Sequence, residues 1–400
     1  MTVLGRICER ARDRGRDGGR IEVFPLSDGL SGALGNWRAT PTTEVESAPS
    51  QPYDGVVHNG TIANDVELGI RPGEVDSMVL PRIISRDSLE SLASSLAQVQ
   101  GSYAMAVKTP STVYLATNYK PLYVLRIKGA VYFSSMERHL SPETEWGMRA
   151  TRISPYTVTD LLTGESVDLP RAETNRALVI CSGGLDSTTV AYELLAQGYE
   201  VDLLHFRYGC RAESREAQLV GRIASHMKRH SDLGAYCEPQ AFYLDIDYSK
   251  FSGGSPLLTD ASIAQGKAGA EYAHEWVPAR NLLMIAHAVA YAEANDYSYV
   301  ALGNNLEESG AFPDNEEEFT HLLGDVLDYA VHDGGRVQLL SPVGHLMKHE
   351  IVSRGVGLGV PFGLTWSCYY GGEVHCGNCG PCFMRRTAFK RNGLTDPVFV

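Results

Sequence analysis

The chain has 400 residues, 44% hydrophobic and 21% charged, and carries a formal net charge of −13. That is enough for two or three domains of ordinary soluble composition. No apolar run approaches ~20 residues, so a membrane span is excluded. No secretory signal is expected from the Arg-rich, acidic N-terminus. The acidic balance argues against general adhesion to nucleic acid.

Residues 1–166 read as a domain of their own. A polar, Arg-rich stretch from Arg6 to Arg20 is helical in part before Gly18-Gly19, and a Thr/Ser/Pro-rich loop runs from Thr40 to Pro52. After Gly55–Gly60 the pattern predicts a helix over Leu89–Val99. Strands follow at Ser102–Lys108, Thr112–Ala116, Tyr123–Ile127 and Ala130–Ser134. Short Gly and Pro turns between them predict a largely antiparallel sheet. The polar Gly164–Arg176 stretch, residues 167–176 above all, reads as the linker.

Several pieces of this region, in order, resemble the class II (N-terminal nucleophile) glutamine amidotransferase domain, an Ntn-type α+β fold. Arg14-Gly15-Arg16-Asp17 is similar to that family's RGxD element, and Gly35–Thr40 to the segment whose arginine holds the glutamine carboxylate. Val57-His58-Asn59-Gly60 matches the element whose Asn and Gly form the oxyanion hole, and Glu74–Ser77 the one whose aspartate receives the glutamine amine. Lys120-Pro121-Leu122 and Phe133–Glu137 fit later strands. The chemistry of that family requires a terminal cysteine, whose own α-amine is the base. This chain starts Met1-Thr2-Val3-Leu4-Gly5, and Cys8 is internal. Thr2 is the alternative terminal nucleophile, but an unaided hydroxyl is far weaker than a thiolate. The expectation is an inactive scaffold that docks on the second domain or presents a partner-binding face.

The second domain, 177–400, opens on Ala177–Cys181 followed by Ser182-Gly183-Gly184-Leu185-Asp186-Ser187-Thr188. An apolar run ending in glycines before helix-forming residues predicts a buried strand, a tight turn and a helix. The freed N–H groups and positive dipole end of such a helix bind phosphate. Gly183 and Gly184 allow close backbone approach, Ser182, Ser187 and Thr188 add hydroxyls, and Asp186 suits Mg²⁺. The Gly-Lys-Ser/Thr end of a Walker A loop is absent. The string resembles the SGGxDS loop of N-type ATP pyrophosphatases, which implies adenylation of a carbonyl oxygen with release of pyrophosphate.

Strand Glu200–Phe206, helix Glu213–Arg229, strand Ala241–Ile246, helix Arg280–Asn295, strand Tyr299–Gly303 and helix Glu316–Ala330 continue the alternation. This predicts an α/β, doubly wound parallel sheet with ligands at the carboxyl ends of its strands. Ser182–Ser187, Tyr208-Gly209 and Asn304-Asn305 should therefore share one mouth.

Four of the eight cysteines, Cys368, Cys376, Cys379 and Cys382, lie within fifteen residues among glycines, while Cys8, Cys181, Cys210 and Cys237 are scattered. This spacing fits a tetrahedral structural zinc site. A [4Fe–4S] cluster is the alternative, although Pro381 precedes the last cysteine rather than following it. Clustered thiols without an export signal point to a reducing cytoplasm rather than disulfides.

Along nearly its whole length this half resembles the 7-cyano-7-deazaguanine synthase (QueC) family. The shared strings are Ser182–Thr188, Phe206-Arg207-Tyr208-Gly209, Val277-Pro278-Ala279-Arg280-Asn281, Leu302-Gly303-Asn304-Asn305, Lys348-His349-Glu350-Ile351, Thr365-Trp366-Ser367-Cys368-Tyr369, the cysteines, and Asp396-Pro397. The resemblance implies ATP-dependent activation of 7-carboxy-7-deazaguanine, amide formation with ammonia, and a second activation giving the nitrile. It places Asp186, Ser187, Arg280 and Lys348 at the chemistry, with Arg280 and Lys348 clamping developing charge. It places Tyr208, Asn281 and Asn305 beside the loop on the nucleotide, and Asn305, Glu308, Phe312, Asp314 and Asn315 at the substrate. ATP, Mg²⁺ and Zn²⁺ are the implied cofactors.

Gly310–Glu316 departs from the family's Ser-Gly-Tyr-Pro-Asp-Cys-Arg string: Asp314 is kept, but Asn315 and Glu316 replace Cys and Arg. A charge reversal facing an anionic substrate would change substrate, acceptor or endpoint, whereas one on a surface loop would change nothing. Fused amidotransferase-like and QueC-like domains also occur in tRNA and phage DNA modification and in anti-phage defence, and this chain resembles that subgroup. Three readings stand: a synthase using free ammonia, a ligase joining the acyl group to an amine on a protein or nucleic acid, and a binding protein without turnover, which the intact loop opposes. The expected partners are the small-molecule substrate, a macromolecular acceptor under the second reading, and a second copy in a homodimer.

Overall fold

The computed structural model describes residues 2–15, 17–27, 29–39, 49–127, 129–143, 148–228, 238–272, 274–332 and 335–399. Arg16, Thr40, Arg229, Cys237 and most of the Thr40–Pro52 loop lie outside them. The chain divides into two units, Met1–Ala172 and Glu173–Val400. Among the described residues no helix is long and apolar enough to cross a membrane.

The first unit begins with α1 (Val3–Ala11), the hairpin β1 (Gly18–Pro25) and β2 (Ser31–Arg38), and β3 (Val56–Ile62). Helices α2 (Leu80–Ile83) and α3 (Leu89–Leu96) precede β4 (Gly101–Lys108), β5 (Val113–Thr117), β6 (Tyr123–Ile127) and β7 (Ala130–Ser134). Then come α4 (Glu137–Leu140), β8 (Thr151–Arg152), β9 (Thr157–Asp160) and β10 (Ser166–Asp168). The sheets, ordered β1-β2, β10-β9-β5-β4-β3 and β7-β6-β8, pair antiparallel throughout. The expected antiparallel pattern and the four strands between Ser102 and Ser134 are present. The Arg-rich stretch is helical in part, as expected, through Ala11, and Gly18–Pro25 pairs in full with β2. Ser166–Asp168, expected within or beside the linker, instead adds an edge strand through the pair Ser166↔Thr159.

The Thr2 side chain caps α1, its Oγ1 accepting the Gly5 N–H at 3.2 Å. Arg6 and Arg10 on the same helix bind Glu143 at 2.5 and 2.9 Å. Those two guanidiniums, Arg6 first, hold the Glu143 carboxyl down at about 2.

The second unit alternates as expected: β11 (Arg176–Ile180), α5 (Leu185–Ala196), β12 (Glu200–Arg207), α6 (Glu213–Met227) and β13 (Ala241–Asp245). It continues through α7 (Gly266–Glu271), α8 (Arg280–Ala294), β14 (Tyr299–Ala301), α9 (Leu306–Ser309) and α10 (Glu317–Ala330). β15 (Gln338–Leu340), α11 (Lys348–Gly357) and α12 (Gly380–Arg391) complete it. All five strands are parallel, in the order β13-β12-β11-β14-β15. Strand periodicity explains both layers. Leu178, Leu204 and Val300 face Ile285 and Ala288 of α8. Ala177, Val179, Val201, Leu203 and Ala301 face Val190 and Leu194 of α5 and Ile351 and Val352 of α11. The order reverses between β11 and β14, and such switch points open a crevice at the carboxyl ends of the strands.

A buried ion pair closes the C-terminal segment. Arg385 is 0% exposed and donates from Nε and one terminal nitrogen to both oxygens of Asp396, at 2.8 and 3.0 Å. Its remaining donors reach Thr365 Oγ1 at 2.7 Å and the Phe362 carbonyl at 2.8 Å. Asp396→Ala leaves a guanidinium buried without its counter-ion, which costs about 3–5 kcal/mol. A thermal melt should show a loss of about 10 °C, and an unchanged melting curve would mean that the pair does not hold this segment.

Candidate active site

The strand–turn–helix at Ile180–Ser187 forms the floor of a cavity of about 260 Å³. Gly183 makes the turn at φ +78°, a conformation that favours glycine. The Ser182 hydroxyl accepts the Gly184 N–H at 3.2 Å and lies 3.4 Å from Ser187 Oγ. α5 starts at Leu185, so its first N–H groups have no intrahelical acceptor and its positive end points at the turn. Gly303, just after β14, lets the neighbouring loop close in: a Cβ there would stand 2.9 Å from the Ser187 nitrogen.

Lys348 heads α11 and is 6% exposed. Its Nζ donates to Asp186 Oδ2 at 2.7 Å and to Glu308 Oε1 at 2.6 Å. Burial opposes the charge on Lys348, yet the two carboxylates hold it above the ordinary lysine range. The two acids share one cation unequally. Burial and the Glu308 charge push Asp186 up to about 6 although Lys348 pulls it back. Burial opposes the charge on Glu308, but Lys348 holds its carboxyl below the ordinary range. Asp186 Oδ1 is buried and meets no donor among the described residues, which leaves one oxygen of this carboxylate available to a cation.

Arg280 and Asn281 are set by a non-glycine residue in the left-handed region, Ala279 at φ +51°, at the N-terminus of α8. Positions of this kind cost about 1–2 kcal/mol and persist where the surroundings over-determine them. Asn281 Nδ2 donates to Asn315 Oδ1 at 3.1 Å. Across the cavity, burial pushes Glu216 up to about 7 while Arg280 pulls it down. Burial and the Glu216 charge push Cys210 up to about 12.

Ser182, Gly184, Asp186, Ser187, Tyr208, Arg280, Asn281, Glu308, Phe312, Asn315 and Lys348 all line this one cavity, as does Asn304. The remaining expected residues do not line it. Thr188, expected as a ligand hydroxyl, is 0% exposed and donates to the Gly184 carbonyl at 2.7 Å. Gly183 shapes the turn without lining the cavity. Asn305 spends its Oδ1 capping α9 through the Glu308 N–H at 3.1 Å. Asp314 contributes its carbonyl, 3.5 Å from Asn281 Nδ2. Glu316, the reversed charge, is exposed at the N-terminus of α10, where a carboxylate favours the helix dipole. Residues not anticipated also line the cavity, among them Glu216, Glu275, Trp366 and Ser367. Glu275 directly precedes the Trp276–Arg280 turn, and a charged residue inside that aromatic stretch was the available signal.

The four cysteines converge, with all Sγ atoms within 4.8 Å of one another. Cys368–Cys379 and Cys376–Cys382 are 3.9 and 4.0 Å apart, close to the ~3.8 Å edge of a tetrahedron with 2.3 Å metal–sulfur bonds. Backbone N–H groups of Tyr370 and Cys376 point at Cys368 Sγ, both at 3.4 Å, and that of Cys379 at Cys376 Sγ at 3.3 Å. Donors aimed at sulfur favour thiolates, so the set suits a metal ion. The cluster braces the site, because the Trp366 N–H, two residues before Cys368, donates to the Gly183 carbonyl at 2.7 Å.

In the first unit, Cys8, Arg14, Asn36, His58 and Asn59 line a separate cavity of about 480 Å³ with a mainly apolar wall. Asp76 is committed to backbone: its carboxylate accepts the Ile62 N–H at 2.7 Å and the Ser77 N–H at 2.5 Å.

A glycine turn whose free N–H groups suit phosphate, at a sheet switch point with a shared lysine and two carboxylates beside it, fits an α/β enzyme that works on a nucleotide. The chain belongs to the QueC family, since the model of the family described as "Queuosine biosynthesis protein QueC" matches residues 176–393. It is similar to 7-cyano-7-deazaguanine synthase 2 of Sulfurisphaera tokodaii, 40% identical over 447 residues, covering 99% of this chain and 95% of the relative. The 7-cyano-7-deazaguanine synthase of Methanothermobacter thermautotrophicus is 38% identical over 231 residues, covering 56% of this chain and 98% of that protein. The first unit is thus an addition to the shorter enzyme that the longer relative also carries. Family membership makes this chain an ATP-dependent C–N ligase.

Proposed function

We propose that this enzyme adenylates 7-carboxy-7-deazaguanine and passes the acyl group to ammonia, giving the amide and, after a second activation, 7-cyano-7-deazaguanine. The observation that carries the reading is the convergence of Asp186, Ser187, Arg280 and Lys348 on one cavity beside the pyrophosphate turn. In the first step a carboxylate oxygen of the substrate forms a bond to the α-phosphorus of ATP and the bond to pyrophosphate breaks. Ser182, Ser187 and the first N–H groups of α5 hold the departing pyrophosphate. Asp186, with one oxygen that meets no donor among the described residues, would hold Mg²⁺, whose role is to neutralise phosphate charge. Arg280 and Lys348 stabilise charge on the phosphoryl and acyl oxygens. Ammonia then attacks the acyl carbon and AMP leaves. Asn281 and Asn315 orient the bound molecules by hydrogen bonds. The four thiolates would hold Zn²⁺ in a closed structural site.

The test is mass spectrometry of purified protein with ATP, Mg²⁺ and 7-carboxy-7-deazaguanine, with and without ammonium. Amide or nitrile formed with AMP and pyrophosphate is the expected result. Substrate consumed with ATP only when a protein or nucleic-acid acceptor is added, with the acceptor gaining the acyl mass and no free amide or nitrile formed, would establish the conjugating ligase instead. That reading drew on the Asn315–Glu316 change, and the exposure of Glu316 removes the charge-reversal part of its support.

The first unit is read as an amidotransferase-like scaffold without a nucleophile. Thr2 has a structural task as a helix cap, and Asp76 is occupied by backbone donors. Thr2→Ala should cost about 1 kcal/mol through the lost cap and leave ammonia-dependent turnover unchanged. Glutamine-dependent turnover that disappears in this variant would make Thr2 a nucleophile.

A further inference from the structure

One carboxylate in the cavity has no part in the steps above. Glu275 lies between α7 and α8, is 2% exposed and lines the cavity wall. Its Oε1 is buried and meets no donor among the described residues. Burial accordingly raises the Glu275 carboxyl above the ordinary range. Glu308 and Tyr369 line the same cavity. Beside Glu275, Trp276 stacks on Phe312 with the rings 16° from parallel, and Phe312 itself lines the cavity.

A buried acceptor without a donor is costly, and in native structures such a group is completed by water, an ion or a ligand, or serves the chemistry of a site. A carboxylate presents two oxygens side by side, which match two parallel N–H donors. Of the molecules this reaction handles, adenine offers one donor next to a ring nitrogen whose lone pair would face the second oxygen. A 2-amino-pyrimidinone ring offers two adjacent donors, N1–H and the 2-amine. The reacting carboxylate, at the other end of the deazaguanine, is repelled by Glu275 and attracted by Arg280 and Lys348, so one acid sets the orientation of the whole base.

We propose that Glu275 is the specificity-determining residue that reads the 2-amino-pyrimidinone edge of the substrate, accepting from N1–H and the 2-amine. The assignment rests on the adenylation reading above. It is tested by calorimetric titration of the full chain with 7-carboxy-7-deazaguanine, with its analogue lacking the 2-amine, and separately with ATP. Wild type should prefer the aminated base by about 100-fold, the size of a lost charge-assisted hydrogen bond. In Glu275→Gln that preference should fall to about 3-fold or less, with ATP affinity and melting temperature undiminished, because glutamine removes an unpaired buried charge without changing shape. A variant that keeps the full preference overturns the assignment. One that loses ATP affinity instead overturns it too, since the carboxylate then reads adenine. If wild type binds neither base, the adenylation reading falls and this inference falls with it.

Discussion

Lys348→Met abolishes ATP-dependent AMP release, with a loss of at least about 10³-fold, the scale for removing a group that stabilises transition-state charge. It also destabilises the fold by about 3–5 kcal/mol at neutral pH, because Asp186 and Glu308 are left facing each other without the shared cation. The two losses separate with pH. Asp186 has its folded-state pKa raised from 3.8 to about 6. A raised acid contributes stability in full below its unfolded pKa and loses it as pH rises through the folded one. In wild type this contribution therefore disappears between about pH 4 and pH 6, the interval in which Asp186 gains the charge needed to hold a cation. Without Lys348 the carboxylates repel more, so the melting deficit should be largest above pH 6 and shrink as Asp186 protonates below it. Melts of both proteins at pH 5 and pH 8 check this. A deficit equal at the two pH values would show that the carboxylates do not depend on Lys348 for neutralisation.

Cys379→Ser loses the bound metal and about 10 °C of melting temperature together. Cys379 is 0% exposed, and serine offers a poorer metal ligand than thiolate. Adenylation should fall as well, since the same loop carries Trp366, whose N–H holds the Gly183 carbonyl, and Ser367 and Tyr369, which line the cavity. Elemental analysis should find near-stoichiometric zinc in wild type and little in the variant. Iron with acid-labile sulfide in wild type would replace zinc by a cluster. Full metal content in Cys379→Ser would contradict the four-thiol site.

Much of the cavity lining beside the glycine turn was readable in advance because it is made by local geometry. The apolar run Ala177–Cys181 must be a buried strand, and Gly183 permits the turn at φ +78°, so a helix start had to follow. Cys376, Cys379 and Cys382 are close in sequence, and their convergence asks only for tight turns. The residues that were misplaced are those whose partners come from elsewhere in the chain or the helix. Thr188 has the right chemistry for a phosphate ligand, but the helix turns its hydroxyl onto Gly184. β1 has no strong alternation of its own and exists because β2 pairs along its whole length. β15 has three residues, too few for a periodicity to show.

The amino-acid order determined on its own the α/β alternation of the second unit, the glycine turn before α5, the thiol spacing and the absence of a cysteine at position 2. Each depends on backbone sterics, side-chain period or residue chemistry within a few positions. The tertiary structure alone decided which acids are buried and what they face. Glu275 and Glu316 are the same side chain in the sequence, yet one is enclosed in the cavity wall and the other exposed at a helix start. Desolvation comes from the elements packed over a residue, and the charge, pKa and ligand preference of a carboxylate follow from that desolvation.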